Sequence, residues 1–317
     1  MKISLLIRKK IFNVMGSIPP KPSVHGWLIL DKPLGLTSTQ ALGKARRLVG
    51  GKKVGHMGTL DPLATGVLPL AFGEATKLIP YIQDGEKEYL FTVRWGLKRT
   101  TDDGEGEVTA QSPVRPTEEK IFMALRSFVG HILQTPPAYS AIKIDGKRAY
   151  ALARGGKDPQ MTPRPVDVYV FDLVKMIDAD HASFRVVCGS GTYVRALARD
   201  LAESLGTYGH LTALQRTRVG IFSIESAISL EKLEELSHKQ AAQTALLKVG
   251  SALDDIPGLI LTASDAGRLR AGQGLLIRPD QMDFMDAPIL LASHRGTPVA
   301  LVKAEGGVFR VVRGFNF

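Results

Sequence analysis

The densest chemical signal in the chain is Gly55-His56-Met57-Gly58-Thr59-Leu60-Asp61-Pro62-Leu63-Ala64-Thr65-Gly66. Three glycines in twelve residues let a backbone approach a ligand closely. Pro62 keeps Asp61 out of the helical region, so its carboxylate is presented in one direction. Such a carboxylate suits nucleophilic or acid–base work. Asp-Pro is also a turn former, and for an isolated pair the turn is the commoner reading. A second signal is Gly189-Ser190-Gly191-Thr192-Tyr193-Val194-Arg195. Two glycines run into a helix and leave Arg195 in its first turn, where a cation meets the positive end of the dipole. That placement gains if a carboxylate faces it, and Asp61 is the partner the sequence offers. The alternative is a solvated Arg195 on a surface helix.

Tyr89 follows Lys87-Glu88 at the head of an aromatic-rich strand. Core packing is the simpler reading for Phe91 and Trp95, whereas a tyrosine at a strand edge can stack on a base and use its hydroxyl. Lys32, between Asp31 and Pro33, reads as a phosphate contact or a solvated turn lysine. The seven histidines show no ligand spacing and Cys188 stands alone, so no metal site is expected. Gly50-Gly51-Lys52-Lys53 lacks the upstream glycine and the following Ser or Thr of a phosphate loop, and no nucleotide cofactor follows from it.

These residues need elements to hold them. Gly26–Leu30 reads as a strand, and Thr37 or Ser38 caps a helix through Val49, stopped by Gly50-Gly51. Residues 55–73, dense in Gly and Pro, read as one long shaped loop. Glu88–Trp95 alternates as a half-buried strand, and Thr100–Glu107 is an acidic connector. Thr117–Phe128 is a capped helix, and Ser140–Lys147 holds a short strand with an Asp145-Gly146 turn. Val166–Val174, Phe184–Cys188 and Leu211–Ile224 read as strands, Thr192–Leu205 as a helix, and Leu230–Val249 as helical. The interleaving lacks the regular spacing of a doubly wound sheet, which favours α+β. From about Ile256 a short helix, Ser264–Leu269, and four or five strand-like runs suggest a small β-rich second domain. The expected organisation is a flexible basic extension over 1–25, a catalytic domain over 26–250 and a small domain over 251–317.

Composition narrows the class. The 317 residues carry 41 Lys+Arg against 31 Asp+Glu, a formal charge of +10, and 44% are hydrophobic. Residues 1–60 hold eleven of the cations and a single acid, Asp31, so the whole surplus lies there. The chain should fold, and its charge favours an anionic partner, nucleic acid first. One cysteine points to a reducing compartment, and no apolar run approaches the length of a membrane span. A soluble protein is expected.

Taken in order and spacing, Gly26–Ser38 (GWLILDKPLGLTS), residues 55–66 (GHMGTLDPLATG), Lys87-Glu88-Tyr89 and Gly191–Arg195 (GTYVR) resemble the TruB-type tRNA pseudouridine synthases. The likeness runs from about residue 24 to the end, where Val311–Asn316 is similar to the close of a small PUA-type RNA-binding domain. The resemblance implies a mixed, mainly antiparallel sheet with flanking helices. It implies isomerisation of the T-loop uridine at tRNA position 55 to pseudouridine, without metal, cofactor or energy source, by base flipping. Asp61 would be the catalytic nucleophile or base, paired with Arg195. Tyr89 would stack on the uracil and could accept its C5 proton, and Tyr193 would line the same pocket. His56 would fill the gap left in the T loop, Lys32 and Pro33 would support the active-site floor, and Leu214 would be an apolar pocket residue. The expected partner is the T-arm stem-loop of tRNA, with no membrane and no nucleotide cofactor, and the expected state is a cytoplasmic monomer.

Two departures stand out. Met57 sits where the family more often has a small polar residue. The basic stretch before Gly26 is longer than usual, and reads as an RNA-binding arm, a late true start at Met15, or an organellar address. Rival readings are a non-catalytic tRNA chaperone, for which Asp61, Tyr89 and Arg195 would be unnecessary, and a synthase acting on another RNA. Lys32, Lys44, Arg46, Arg47, Lys52 and Lys53 are expected to form a phosphate-facing rim.

Overall fold

The computed structural model describes residues 23–82, 85–144, 146–156, 159–253 and 256–317. The basic extension therefore lies outside the described residues but for its last three positions, as does Asp145 of the expected turn. In chain order the first strands are β1 (Gly26–Lys32), β2 (Val54–His56), β3 (Ala64–Phe72) and β4 (Lys87–Trp95). A small hairpin, β5 (Leu97–Arg99) and β6 (Val108–Gln111), precedes β7 (Gly130–Gln134), and a second pairs β8 (Lys143–Ile144) with β9 (Lys147–Arg148). Then come β10 (Arg164–Met176), β11 (His181–Cys188), β12 (Gly209–Val219), β13 (Phe222–Ser223) and β14 (Ile228–Ser229).

The large sheet runs β14-β1-β3-β12-β4-β11-β10-β7, with β2 added to β3 and β13 to β12. Its pairs are antiparallel except β1 with β14 and β12 with β3, which is the mixed α+β architecture expected. Both faces of its β1 end are covered. Alternation along β1 sends Leu28 and Leu30 into the larger core with helices Ser38–Val49 and Val194–Ser204, and Trp27 and Ile29 into a second core on the other face. That second core takes in Val249, Leu253, Leu301 and Phe315 from the later chain. Burial on both faces is why β1 reads as the unbroken apolar run GWLIL.

Local sequence accounts for the elements that frame the site. Thr37 caps helix Ser38–Val49 and Gln40 answers with a reciprocal bond, a capping box, and Gly50 closes it with φ 86°. On β4 the inward residues Tyr89, Phe91, Val93 and Trp95 are all buried, and Phe91 stacks on Phe184 of β11 with ring centroids 5.5 Å apart. Each such aromatic stabilises the fold by about 2 kcal/mol through burial. The last strands, β15 (Gly258–Ile260), β16 (Leu275–Leu276), β17 (Leu290–His294), β18 (Thr297–Glu305) and β19 (Val308–Gly314), form a separate sheet in the order β15-β17-β18-β19-β16. Helix Ala263–Arg270 packs on it around Leu259, Leu269, Val302 and Phe309.

One expectation fails. Residues 55–73 are not a single loop, because Ala64–Phe72 is a nine-residue strand in the middle of the sheet, and only 57–63 is loop. Its Gly and Pro misled for a physical reason. The Pro69 carbonyl accepts from the Met57 amide at 2.9 Å, so its missing N–H falls on the same edge. Pairing with β12 ends at Gly66, ahead of that position, and the ladder to β1 is continuous.

Candidate active site

The loop carrying Asp61 is fixed by its backbone. Ser38, at the start of its helix, accepts from the Leu60 amide at 2.8 Å and donates to the Leu60 carbonyl at 3.0 Å. Gly35 N–H donates to the Pro62 carbonyl and Ala64 N–H to the Asp61 carbonyl, at 2.9 and 3.0 Å. Two glycines permit the close approaches. Gly58, at φ 76°, lies against the Arg216 guanidinium, and at Gly66, φ 96°, a Cβ would stand 2.2 Å from the Arg216 carbonyl oxygen. The Asp61 side chain emerges 42% exposed, its backbone immobilised on three sides.

Arg195 is not a solvated surface residue. It occupies the first turn of helix Val194–Ser204 with its side chain 6% exposed, and Nη2 meets Asp61 Oδ2 at 2.9 Å. Nη1 and Nη2 donate to the carbonyls of Thr101 and Tyr139, each at 2.9 Å, and Asp103 stands 3.7 Å away on the far side. The guanidinium is thus oriented before it meets Asp61. The acidic connector contributes directly to this arrangement. Asp102, with φ 59°, and Asp103 are both buried. Asp102 takes an ion pair from Arg199 at 3.0 Å, one helical turn beyond Arg195. Burial pushes the Asp102 carboxyl up, and Arg199 opposes it.

Tyr89 and Arg216 face each other across β4 and β12 in direct register. Tyr89 lies on an inner strand of the sheet and not on a sheet edge, and its hydroxyl comes close enough to the Arg216 guanidinium for each to act on the other. Burial raises the Tyr89 phenol, while the Arg216 charge draws it back. Arg216 is 1% exposed; its Nε donates to the Val67 carbonyl at 2.8 Å and its Nη2 to the Gly58 carbonyl at 3.1 Å. Sequence reasoning gave Arg216 no role. The available signal was a cation at an inward position of β12, two residues after Leu214 on the same face.

The remaining expected residues converge on this place. Lys32 is 0% exposed and contradicts both earlier readings, since it is neither a phosphate contact nor a solvated turn residue. Its Nζ donates to the carbonyls of Leu36 and Pro33 at 2.6 and 2.9 Å and approaches that of Pro62 at 3.5 Å. Burial pushes the Lys32 amine down to about 8, with Asp61 pulling it up and Arg216 adding to the fall. It cannot belong to a phosphate-facing rim, whereas Lys44, Arg46, Arg47, Lys52 and Lys53 are exposed. Tyr193 is half-buried. Its amide donates to Gln134 at 2.8 Å, and Gln134 returns a bond to its carbonyl at 3.1 Å, another contact that sequence did not reveal. Burial raises the Tyr193 phenol, with Arg195 and Asp61 both near enough to act on it. Leu214 is buried in the main core and registers with Ala64 of β3. His56 is half-buried on β2, and burial followed by the Arg216 charge pushes it below its usual range. Met57 turns away into the second core beside Trp27, Val67 and Ala71.

One region of the fold thus gathers a carboxylate held by a buried guanidinium, a phenol beside a second buried guanidinium, and an apolar leucine. Among the described residues no group of three or more His, Cys, Asp or Glu is arranged to hold a metal ion. Among the same residues no helix is long and apolar enough to cross a membrane.

Comparison with known proteins bears on this constellation. Residues 46–194 match the model of the TruB family pseudouridylate synthase N-terminal domain, and residues 195–256 match that of the tRNA pseudouridylate synthase B C-terminal domain. The chain is 55% identical over 298 residues to tRNA pseudouridine synthase B of Bradyrhizobium diazoefficiens, covering 92% of this chain and 86% of that one. It is 48% identical over 300 residues to the protein of that name from Caulobacter vibrioides, covering 93% and 97%. Among solved structures, a chain of a Cbf5-Nop10-Gar1 complex superposes with a TM-score of 0.69 at 24% identity, over 92% of this chain and 85% of that chain. A chain of an H/ACA RNP bound to a substrate RNA containing 2′-deoxyuridine gives the same TM-score, 0.69, at 22% identity and over the same shares, 92% and 85%. These two structural likenesses concern the fold alone.

Proposed function

The chain belongs to the TruB family of pseudouridylate synthases, and from that premise we propose that it isomerises the T-loop uridine at position 55 of tRNA to pseudouridine. The observation that carries the reading is the Asp61–Arg195 pair at 2.9 Å, with Tyr89 near Asp61 and Leu214 in register with Ala64; in this reading they line the uridine's pocket. The uridine is unstacked and swung into that pocket, at a cost of a few kcal/mol that a loop base reduces. Its ring stacks on Tyr89, with Tyr193 and Leu214 at its borders, and His56 occupies the gap left in the T loop. The glycosidic bond breaks, and the Asp61 carboxylate meets the electron-poor C1′ by bonding to it or by taking a ribose proton. The uracil turns within the pocket and rejoins through C5, whose proton leaves to a base such as Tyr89 while N1 takes one up. Lys32 and Pro33 support the floor by holding the Asp61-Pro62 backbone.

In this reading residues 26–250 form the catalytic unit, residues 251–317 an RNA-binding unit, and the protein acts as a cytoplasmic monomer. The exposed cations Lys44, Arg46, Arg47, Lys52 and Lys53 meet tRNA phosphates, with strong salt dependence. The test is tritium release from a T-arm stem-loop labelled with 5-tritiated uridine, without added cofactor. Release is expected, and it is expected to vanish when cytidine replaces the uridine at position 55. Release that survives this replacement would refute the position, and none from either RNA would revive a non-catalytic tRNA-binding role.

A further inference from the structure

The geometry points to Arg216 as a positioning residue that keeps an unmatched positive charge behind Tyr89 for the uracil while it is detached from the ribose. The inference deepens the function proposed above and rests on it. Arg195 is matched by Asp61 and Asp103, and Arg199 by Asp102 and Asp200. Arg216 differs from both. It is 1% exposed, and among the described residues no carboxylate forms an ion pair with it. Its hydrogen bonds go to two carbonyl dipoles, Val67 and Gly58, and Tyr89 faces it in register across β4 and β12. An unpaired buried cation costs free energy, and carbonyl dipoles offset only part of it. Glycine at position 58 leaves the guanidinium its place, since a Cβ there would stand 3.1 Å from Nη1. The charge is felt across the pocket, depressing both Lys32 and His56.

The reaction supplies the missing anion for a limited time. When the C1′–N1 bond breaks, its electron pair leaves with N1 and the uracil becomes negative, while Asp61 meets the deficit at C1′. When C5 bonds to C1′ the base is neutral again, and the C5 proton then leaves as N1 takes one up, which gives pseudouridine. Negative charge beside Tyr89 exists between those two events and in neither substrate nor product. A cation fixed at that point stabilises the detached state over both ground states, which is the condition for raising the rate. Tyr89 is the link, its ring against the base and its phenol beside Arg216.

The test compares two T-arm stem-loops, one with uridine and one with 5-fluorouridine at the target position, in single-turnover reactions read by nuclease digestion and chromatography as loss of the starting nucleoside, because C5 of fluorouridine has no proton to shed and its rearranged base keeps the fluorine. Fluorine makes the departing base a more stable anion, so it depends less on help from the protein. Arg216→Gln is expected to slow uridine conversion about 100-fold and fluorouridine conversion less than about tenfold, raising the ratio of the two rates roughly tenfold. Arg216→Lys keeps the charge while losing the fork that reaches both carbonyls; its ratio is expected within about twofold of wild type, with uridine slowed less than about tenfold. Equal slowing of both RNAs by Arg216→Gln, as a merely structural role requires, overturns the proposal. If Arg216→Gln does not fold, Arg216→Lys decides alone, because a raised ratio or a loss near 100-fold in it also overturns the proposal. Wild type that converts neither RNA would refute the synthase reading itself, a separate failure.

Discussion

Asp61 and Arg195 form one ion pair, yet removing either partner should have very different effects on stability. Arg195 is 6% exposed on its side chain, and its guanidinium holds two carbonyls at 2.9 Å and faces Asp103, itself 5% exposed, at 3.7 Å. Arg195→Met strands that carboxylate with only its bonds from Thr101 and the Glu105 amide, and leaves both carbonyls unpaired. Breaking a buried pair from one side costs about 3–5 kcal/mol. Asp61→Asn removes a carboxylate that is 42% exposed and leaves every other Arg195 contact in place, so the cost should be at most about 1 kcal/mol. Urea unfolding of both variants in one buffer measures the difference. Asp61→Asn should unfold near wild type, and Arg195→Met far earlier. Equal losses would refute the reasoning, since Arg195 would then be held by Asp61 and not by the loops around it.

Three further outcomes follow from the same contacts. Gly66→Ala should destabilise by about 3 kcal/mol or more, because the new methyl meets the Arg216 backbone at a left-handed φ; a thermal midpoint unchanged from wild type would contradict the tight β3–β12 approach. Met57→Ser, which introduces a small polar residue of the kind more usual in the family, should cost about 2–5 kcal/mol, since Met57 fills the second core and leaves only its backbone beside the site; stabilisation on urea unfolding would contradict that placement. Lys32 sheds its proton near pH 8 when folded and near 10.5 when unfolded, so unfolding takes up a proton between those values. Stability from this group rises with pH across that window, by up to about 3 kcal/mol, the burial penalty being fully felt below it. Cys188, pushed up to about 11 by burial, acts in the opposite sense, so the comparison is between wild type and Lys32→Met. Curves that stay parallel from pH 7 to about 10.5 would show that Lys32 is not buried as a cation.

Much of the frame was legible because it is local. The cap at Thr37, the stop at Gly50, the alternation from Lys87 to Trp95 and the first-turn position of Arg195 depend on near neighbours in the chain. What failed depended on partners far away. Ala64–Phe72 becomes a strand because β1, β2 and β12 accept its Gly and Pro, and nothing within residues 55–73 announces them. Lys32 looks solvated beside Asp31 and Pro33, and is buried because the Asp61 loop folds over it. Asp102 and Asp103 look like surface charge, and are buried because Arg199 and Arg195 reach them from a helix some ninety residues on. Arg216 is illegible for the same reason, since Tyr89, which it faces, lies on a strand that only the fold sets beside it.

The central claim is that the Asp61 carboxylate carries the chemistry while the rest of the pocket binds and turns the base. Single-turnover tritium release by the Asp61→Asn protein, at RNA concentrations where filter binding shows it saturated, tests that most directly. RNA affinity is expected within about threefold of wild type, and release reduced by at least about 10⁴-fold. Saturated RNA with release near the wild-type rate would contradict it.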